Sequence, residues 1–211
     1  MNESQLANSS FLIKYQGDID EVFRIYLEDI NPFIVQFEVL KNEFPIEVQN
    51  EIRAIYGHLV RASLAKTDEE AKNNIQKMRS HTKRALLDCF KYSCIVITDM
   101  YNDFFEHYKN VDFTFINEGT FLVQIQKAYK QATFLFKSVK IKELSNISED
   151  ELFEEYQKAY NHFADIQDKL DKVVGQAEHL KHKATRKERL AIASFIFGIA
   201  GFVVGIIGII I

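Results

Sequence analysis

Apolar side chains recur along this chain every three or four residues with few breaks, and strand-like alternation is scarce. A repeat near 3.5 puts one apolar side chain per turn on a common helix face, so the pattern predicts an all-α protein built from five helices. The first covers Asp18 to Asn42, with Ile19, Val22, Tyr26, Ile30, Phe33, Phe37 and Leu40 inward and Pro32 as a kink, since proline removes a donor and crowds the turn before it. The second opens at Pro45, whose fixed φ suits a first turn, and reaches Ala65 on Val48, Ile52, Ile55, Leu59 and Ala62. Thr67 and Glu70 have the spacing of a capping box and start a third helix that runs to Lys109 through Ala71, Ile75, Met78, Ala85, Cys89 and Met100. Asn110 to Glu118 reads as a loop with a short helical turn. The fourth helix, Gly119 to Lys142, turns Leu122, Ile125, Tyr129, Ala132, Phe136 and Val139 inward.

The fifth helix starts at Ser148, which forms a second capping box with Glu151. Its stripe, Tyr156, Ala159, Phe163, Ile166, Leu170, Val173, Ala177, Leu180 and Ala184, alternates spacings of three and four. Seven residues further on stands Ala191, and from there the small residues Ser194, Gly198, Gly201, Gly205 and Gly208 keep the same alternation. The register therefore continues unbroken, and the simplest reading is one helix over residues 148–211, about 96 Å long. From Leu190 to Ile211 there is no charged side chain. A helix of that length rises about 33 Å, enough for a hydrocarbon core of about 30 Å, so this segment is expected to be a single transmembrane span. The organisation that follows is a helical bundle over 1–147, a long amphipathic helix over 148–189, and the span over 190–211.

Charge changes this picture at one place. Lys181, Lys183, Arg186, Lys187 and Arg189 crowd the approach to the apolar segment, opposed only by Glu188, whereas the whole chain carries −4. Basic residues beside a span stay on the cytoplasmic side and meet anionic headgroups. The opening MNESQLANSS lacks the basic and apolar regions of a secretory signal. Both features place the bundle in the cytoplasm and the C-terminus outside, with Lys181, Lys183, Arg186 and Arg189 as lipid-headgroup contacts. The acidity of the remainder argues against a broad nucleic-acid surface. The two cysteines, Cys89 and Cys94, fall within a helical stretch and read as packed, reduced thiols.

Within the span, the face made by Ala191, Ser194, Gly198, Gly201, Gly205 and Gly208 lets helix backbones approach closely where hydrophobicity supplies no force between helices. A tight dimer or small bundle would close that face. A wider ring would turn it toward a central channel, with Lys187, the one charged residue on the stripe, forming a positive ring at the cytoplasmic mouth. An inert anchor with incidental glycines is the third arrangement.

Helices two and three are expected to form an antiparallel hairpin turning near Lys66 and Thr67, which sets Arg53 opposite Ser80 and His81. Arg53, His58 and Arg61 would then share a groove with His81, Arg84 and Asp88, as a polar seam that fixes helix register or as a reactive site. No phosphate-binding glycine loop, dinucleotide fingerprint, HExxH or CxxC is present, and the histidines have no carboxylate at metal spacing, so no cofactor, metal or small-molecule substrate is expected.

The segment RAIYGH, Arg53 to His58, matches the RxxxxH pattern of HEPN ribonucleases. With HTKRALLDCFKY and the single hydrophobic span, the chain resembles the small membrane-anchored accessory proteins of type VI-B CRISPR systems. That resemblance implies a HEPN-like helical bundle whose long C-terminal helix continues into the span. It also implies an antiviral role beside an RNA-guided RNase at the bacterial inner membrane, where a homo-oligomer permeabilises the bilayer once the effector is active. The partners it implies are further copies of the chain, the bilayer, and the effector or its RNA. Arg53 and His58 map onto the HEPN pair, in which arginine steadies a phosphate and histidine supports attack by a ribose hydroxyl without metal. A membrane-tethered RNase that uses Arg53 and His58 across a dimer, and a passive membrane adaptor, are the other two functions the sequence allows.

Overall fold

A computed structural model of the chain describes residues 11–145 and 147–210; for 188, 189, 191–193 and 195–210 it describes the backbone alone. Among the described residues the structure is helical, with no strand. Helix α1 (Gln16–Ile25) passes through a π-helical turn (Tyr26–Ile30) into α2 (Asn31–Lys41). Helices α3 (Ile46–Ser63), α4 (Asp68–His107), α5 (Phe121–Glu143) and α6 (Glu149–Ile210) follow, and two 3₁₀ turns, Phe113–Phe115 and Asn117–Gly119, lie between α4 and α5.

The expected caps form. Glu70 N–H donates to Thr67 Oγ1 at 3.2 Å, while the Glu70 carboxylate reaches back to Lys66 N–H at 2.9 Å. Glu151 N–H donates to Ser148 Oγ at 3.2 Å. α2 ends at Asn42, whose φ of 52° is left-handed and whose N–H closes on Glu38 O. Pro32 stands in the first turn of α2, directly after the π-helical turn. The wider turn takes up the missing N–H and the ring's crowding. Ile30, Phe33 and Phe37 are buried as expected, together with Ile34, whereas Leu40, expected inward, is exposed at the end of α2.

The chain divides into two compact units, residues 1–98 with 131–163, and residues 99–130 with 164–211. These limits fall inside helices α4, α5 and α6 and not at 147/148 or 189/190. In the first unit Ile19, Val22, Ile55, Ala62, Ile75 and Met78 form one core cluster, and Phe90, Val139 and Tyr156 another. Cys89 and Cys94 are free and buried, as expected. In the second unit Phe104 contacts the rings of Phe105, Tyr108, Phe113 and Phe121, and Tyr101 stacks on Tyr129 with centroids 3.8 Å apart. On α6, Tyr156, Ala159, Phe163, Ile166, Leu170, Val173 and Ala177 are all buried.

Among the described residues no helix is long and apolar enough to cross a membrane. The segment expected to do so, residues 190–211, has almost all its side chains outside the described set, though its backbone through Ile210 is helical. Ser194 donates to the carbonyl of Leu190 at 2.8 Å, which satisfies its hydroxyl within the helix.

Candidate functional site

The hairpin of α3 and α4 places two histidines ring on ring. His58 and His81 stack with centroids 5.1 Å apart at 25°. Glu51 stands seven residues before His58, and Asn74 seven before His81, so each pair shares a helix face. Because the helices run antiparallel, each histidine meets the other helix's polar residue. His81 Nδ1 lies 2.6 Å from Glu51 Oε2, and His58 Nδ1 lies 3.0 Å from Asn74 Oδ1.

Asn74 Nδ2 donates to the Glu70 carbonyl at 2.9 Å, which turns Oδ1 toward His58. An arginine follows each histidine by three residues and folds back beside it. Arg61 Nη2 comes within 3.3 Å of His58 Nδ1, and its guanidinium lies across Gly57, where a Cβ would stand 3.4 Å from Nη2. Arg84 Nη2 lies 2.8 Å from His81 Nδ1, while its Nε donates to Glu51 Oε2 at 3.2 Å. Two guanidinium groups thus flank two half-buried imidazoles, Arg84 bonding the Glu51 carboxylate and Arg61 lying beside His58. Such a set can hold a phosphate by charge-assisted hydrogen bonds and offer a nearby proton acceptor.

The expected residues separate into three groups. His58, Arg61, His81 and Arg84 come together. Arg53 does not: it is exposed and donates to Asn50 Oδ1 at 3.3 Å. Five residues along a helix are about 140° around it, so Arg53 and His58 face apart. Asp88 joins a different cluster, 3.8 Å from Lys91. There Lys91 Nζ lies 2.6 Å from Glu143 Oε1, and the buried Tyr156 hydroxyl donates to Glu143 Oε2 at 2.5 Å. Burial pushes the Asp88 carboxyl above its usual range, with Lys91 opposing and neighbouring carboxylates adding to the rise. Burial alone would raise Glu143 too, but the hydrogen bonds from Lys91 and Tyr156 hold it below the usual carboxylate range. Burial and the Glu143 carboxylate drive the Tyr156 phenol upward, so it remains a donor.

Midway along α6, Lys181 Nζ lies 2.8 Å from His107 Nε2 and over the ring of Tyr108, whose hydroxyl donates to Glu178 at 2.9 Å. Lys183 and Lys187 line a cleft of about 280 Å³ with Asn110, Asp112, Phe115 and Leu180. Arg186 is exposed, and the Arg189 side chain lies outside the described residues. The side chains of the small-residue face, Ala191 to Gly208, also lie outside them, apart from Ser194. No group of His, Cys, Asp and Glu able to hold a metal ion occurs among the described residues. Comparison of the chain with protein families, with characterised proteins and with solved structures returns no match.

Proposed function

We propose that this is a membrane-anchored helical protein that self-associates through the small-residue face of its C-terminal segment and opens a pore. The observation that carries the reading is the uninterrupted α6 helix, Glu149–Ile210. Its heptad stripe is buried from Tyr156 to Ala177, and the same spacing runs on through Ala191, Ser194, Gly198, Gly201, Gly205 and Gly208. A sustained heptad keeps one face turned to one neighbour, and small residues on that face favour close helix contact in lipid. The basic residues before Leu190 favour a cytoplasmic bundle. The resemblance to type VI-B CRISPR accessory proteins extends the proposal to membrane leakage in antiviral defence, triggered by an RNA-guided effector.

The test is dye release from vesicles carrying the full-length protein, together with its oligomeric state in detergent. Wild type forms a multimer and leaks; the Gly201→Ile/Gly205→Ile variant does neither. A monomeric wild type, or leakage unaffected by the double substitution, overturns the proposal.

A second reading, a tethered ribonuclease, is favoured by the His58–His81 pair with Arg61 and Arg84. In this form catalysis belongs to the stacked histidines and Arg53 takes no part. RNA cleavage lost in His81→Ala and kept in Arg53→Ala supports it; no cleavage by wild type removes it.

A further inference from the structure

We propose that the cleft between the Asn110–Gly119 segment and the stretch of α6 just before Leu190 seats the headgroup of an anionic phospholipid, with Phe115 entering the membrane interface beside it. This rests on the reading of residues 190–211 as a membrane span.

The segment is held in shape by its own bonds. Asp112 Oδ1 accepts from Thr114 N–H at 3.0 Å and from Thr114 Oγ1 at 2.6 Å, which keeps its carboxyl below the usual range. Val111, Phe113 and Ile116 are buried and anchor the turn, and Gly119 closes it at a φ of 80°. Phe115 alone of its aromatic neighbours points outward, 73% exposed. It shares the cleft with Lys183 and Lys187, one helical turn apart. Among the described residues neither lysine makes an ion pair, and Asp112, already engaged by Thr114, is the one acid in the lining.

Position decides the occupant. The uncharged run begins at Leu190. At 1.5 Å per residue Lys187 stands about 4.5 Å before it and Lys183 about 10 Å, whereas one headgroup layer is about 5–7 Å deep. Lys187 thus falls within the layer, and Lys183 reaches it by extending its stem. An aromatic ring at that depth beside two ammonium groups is the pairing an anionic lipid interface selects. A soluble phosphate would leave Phe115 without an apolar partner.

The chain has no tryptophan, so Phe115→Trp provides a single reporter on an exposed position. The full-length protein is reconstituted in vesicles of phosphatidylcholine, with or without phosphatidylglycerol, bearing brominated acyl chains. A separate Phe202→Trp reporter monitors the span. With phosphatidylglycerol, the Phe115→Trp emission shifts to the blue and is quenched. In phosphatidylcholine alone, or with Lys183→Gln and Lys187→Gln added, it returns toward that of water, the two lysines together weakening docking roughly 30-fold. The inference is overturned if the Phe115→Trp reporter stays water-like on phosphatidylglycerol while Phe202→Trp is quenched, as an acidic protein partner in the cleft would produce. It is equally overturned if quenching ignores lipid charge or the two lysines. If Phe202→Trp is also unquenched, the span itself is wrong and the headgroup seat falls with it.

Discussion

Replacing Lys91 with methionine isolates the ion pair between α4 and α5. Methionine keeps the length and apolar stem of lysine but leaves Glu143 with Tyr156 as its remaining donor. Removing one partner of a fully buried pair costs about 3–5 kcal/mol, whereas exposed pairs are worth about 0–1 kcal/mol. The Lys91 and Glu143 side chains retain 21% and 29% of their exposure, between those limits but nearer the buried one. The expected loss is therefore about 2 kcal/mol at neutral pH, a fall in Tm of about 4–8 °C for a chain of this size. The loss depends on pH with a definite sign. Glu143 is held below the unfolded carboxylate value, so it stabilises the fold above about pH 4 and that stability disappears as pH falls through its native pKa. Lys91→Met removes part of what depresses it, so wild type and variant should converge in acid. Urea titrations of the full-length protein in detergent, followed by circular dichroism over a pH series, measure both effects. A gap below about 0.5 kcal/mol at neutral pH, within the range of ordinary surface changes, refutes the reasoning. A gap that stays constant into acid refutes the pH argument.

Two more outcomes follow from burial and geometry. Cys94 is pushed up to about 12 by burial and Cys89 is raised by burial and the nearby Asp88 charge, so an aromatic disulfide reagent should label neither thiol in the native protein and both after denaturation; stoichiometric labelling of the folded chain would show the core to be wrongly described. Glu51→Ala should cost about 1 kcal/mol, because His81 and Arg84 lose a shared acceptor, whereas Arg53→Ala should change stability by less than about 0.5 kcal/mol; equal effects in thermal unfolding would dissolve the distinction drawn between the two positions.

The stripe of α6 could be read directly, because a long regular helix keeps its phase and nothing between Tyr156 and Ala177 disturbs it. The hairpin register was legible to within a residue or two, since the Thr67 cap and the short connection set the turn. Three things were hidden. The π-helical turn before Pro32 depends on how the proline is relieved and leaves no mark on the apolar pattern, since Ile30, Phe33 and Phe37 are buried as that pattern predicts. The partner of Asp88 and Lys91 came from α5, and sequence periodicity does not say which helix faces which. Arg53 and His58 matched a motif, but their five-residue spacing turns them apart within one chain. Glu51 and Asn74 were overlooked although their signal was present. Each stands seven residues before a histidine, and each histidine precedes an arginine by three, so the two helices of the hairpin repeat one polar pattern in opposite directions.

The widened turn at Tyr26–Ile30 also restricts how this part of the chain can change. Leu27, Glu28 and Asp29 lie in solvent, so many residue types should serve there. Removing any one of them is another matter: it would restore the tighter winding, drive the pyrrolidine ring onto a carbonyl, and rotate Ile19 and Val22 by about 100° out of their seats. Natural variants of this stretch should therefore be free in identity and fixed in length, a signature that comparing gaps, not letters, would reveal.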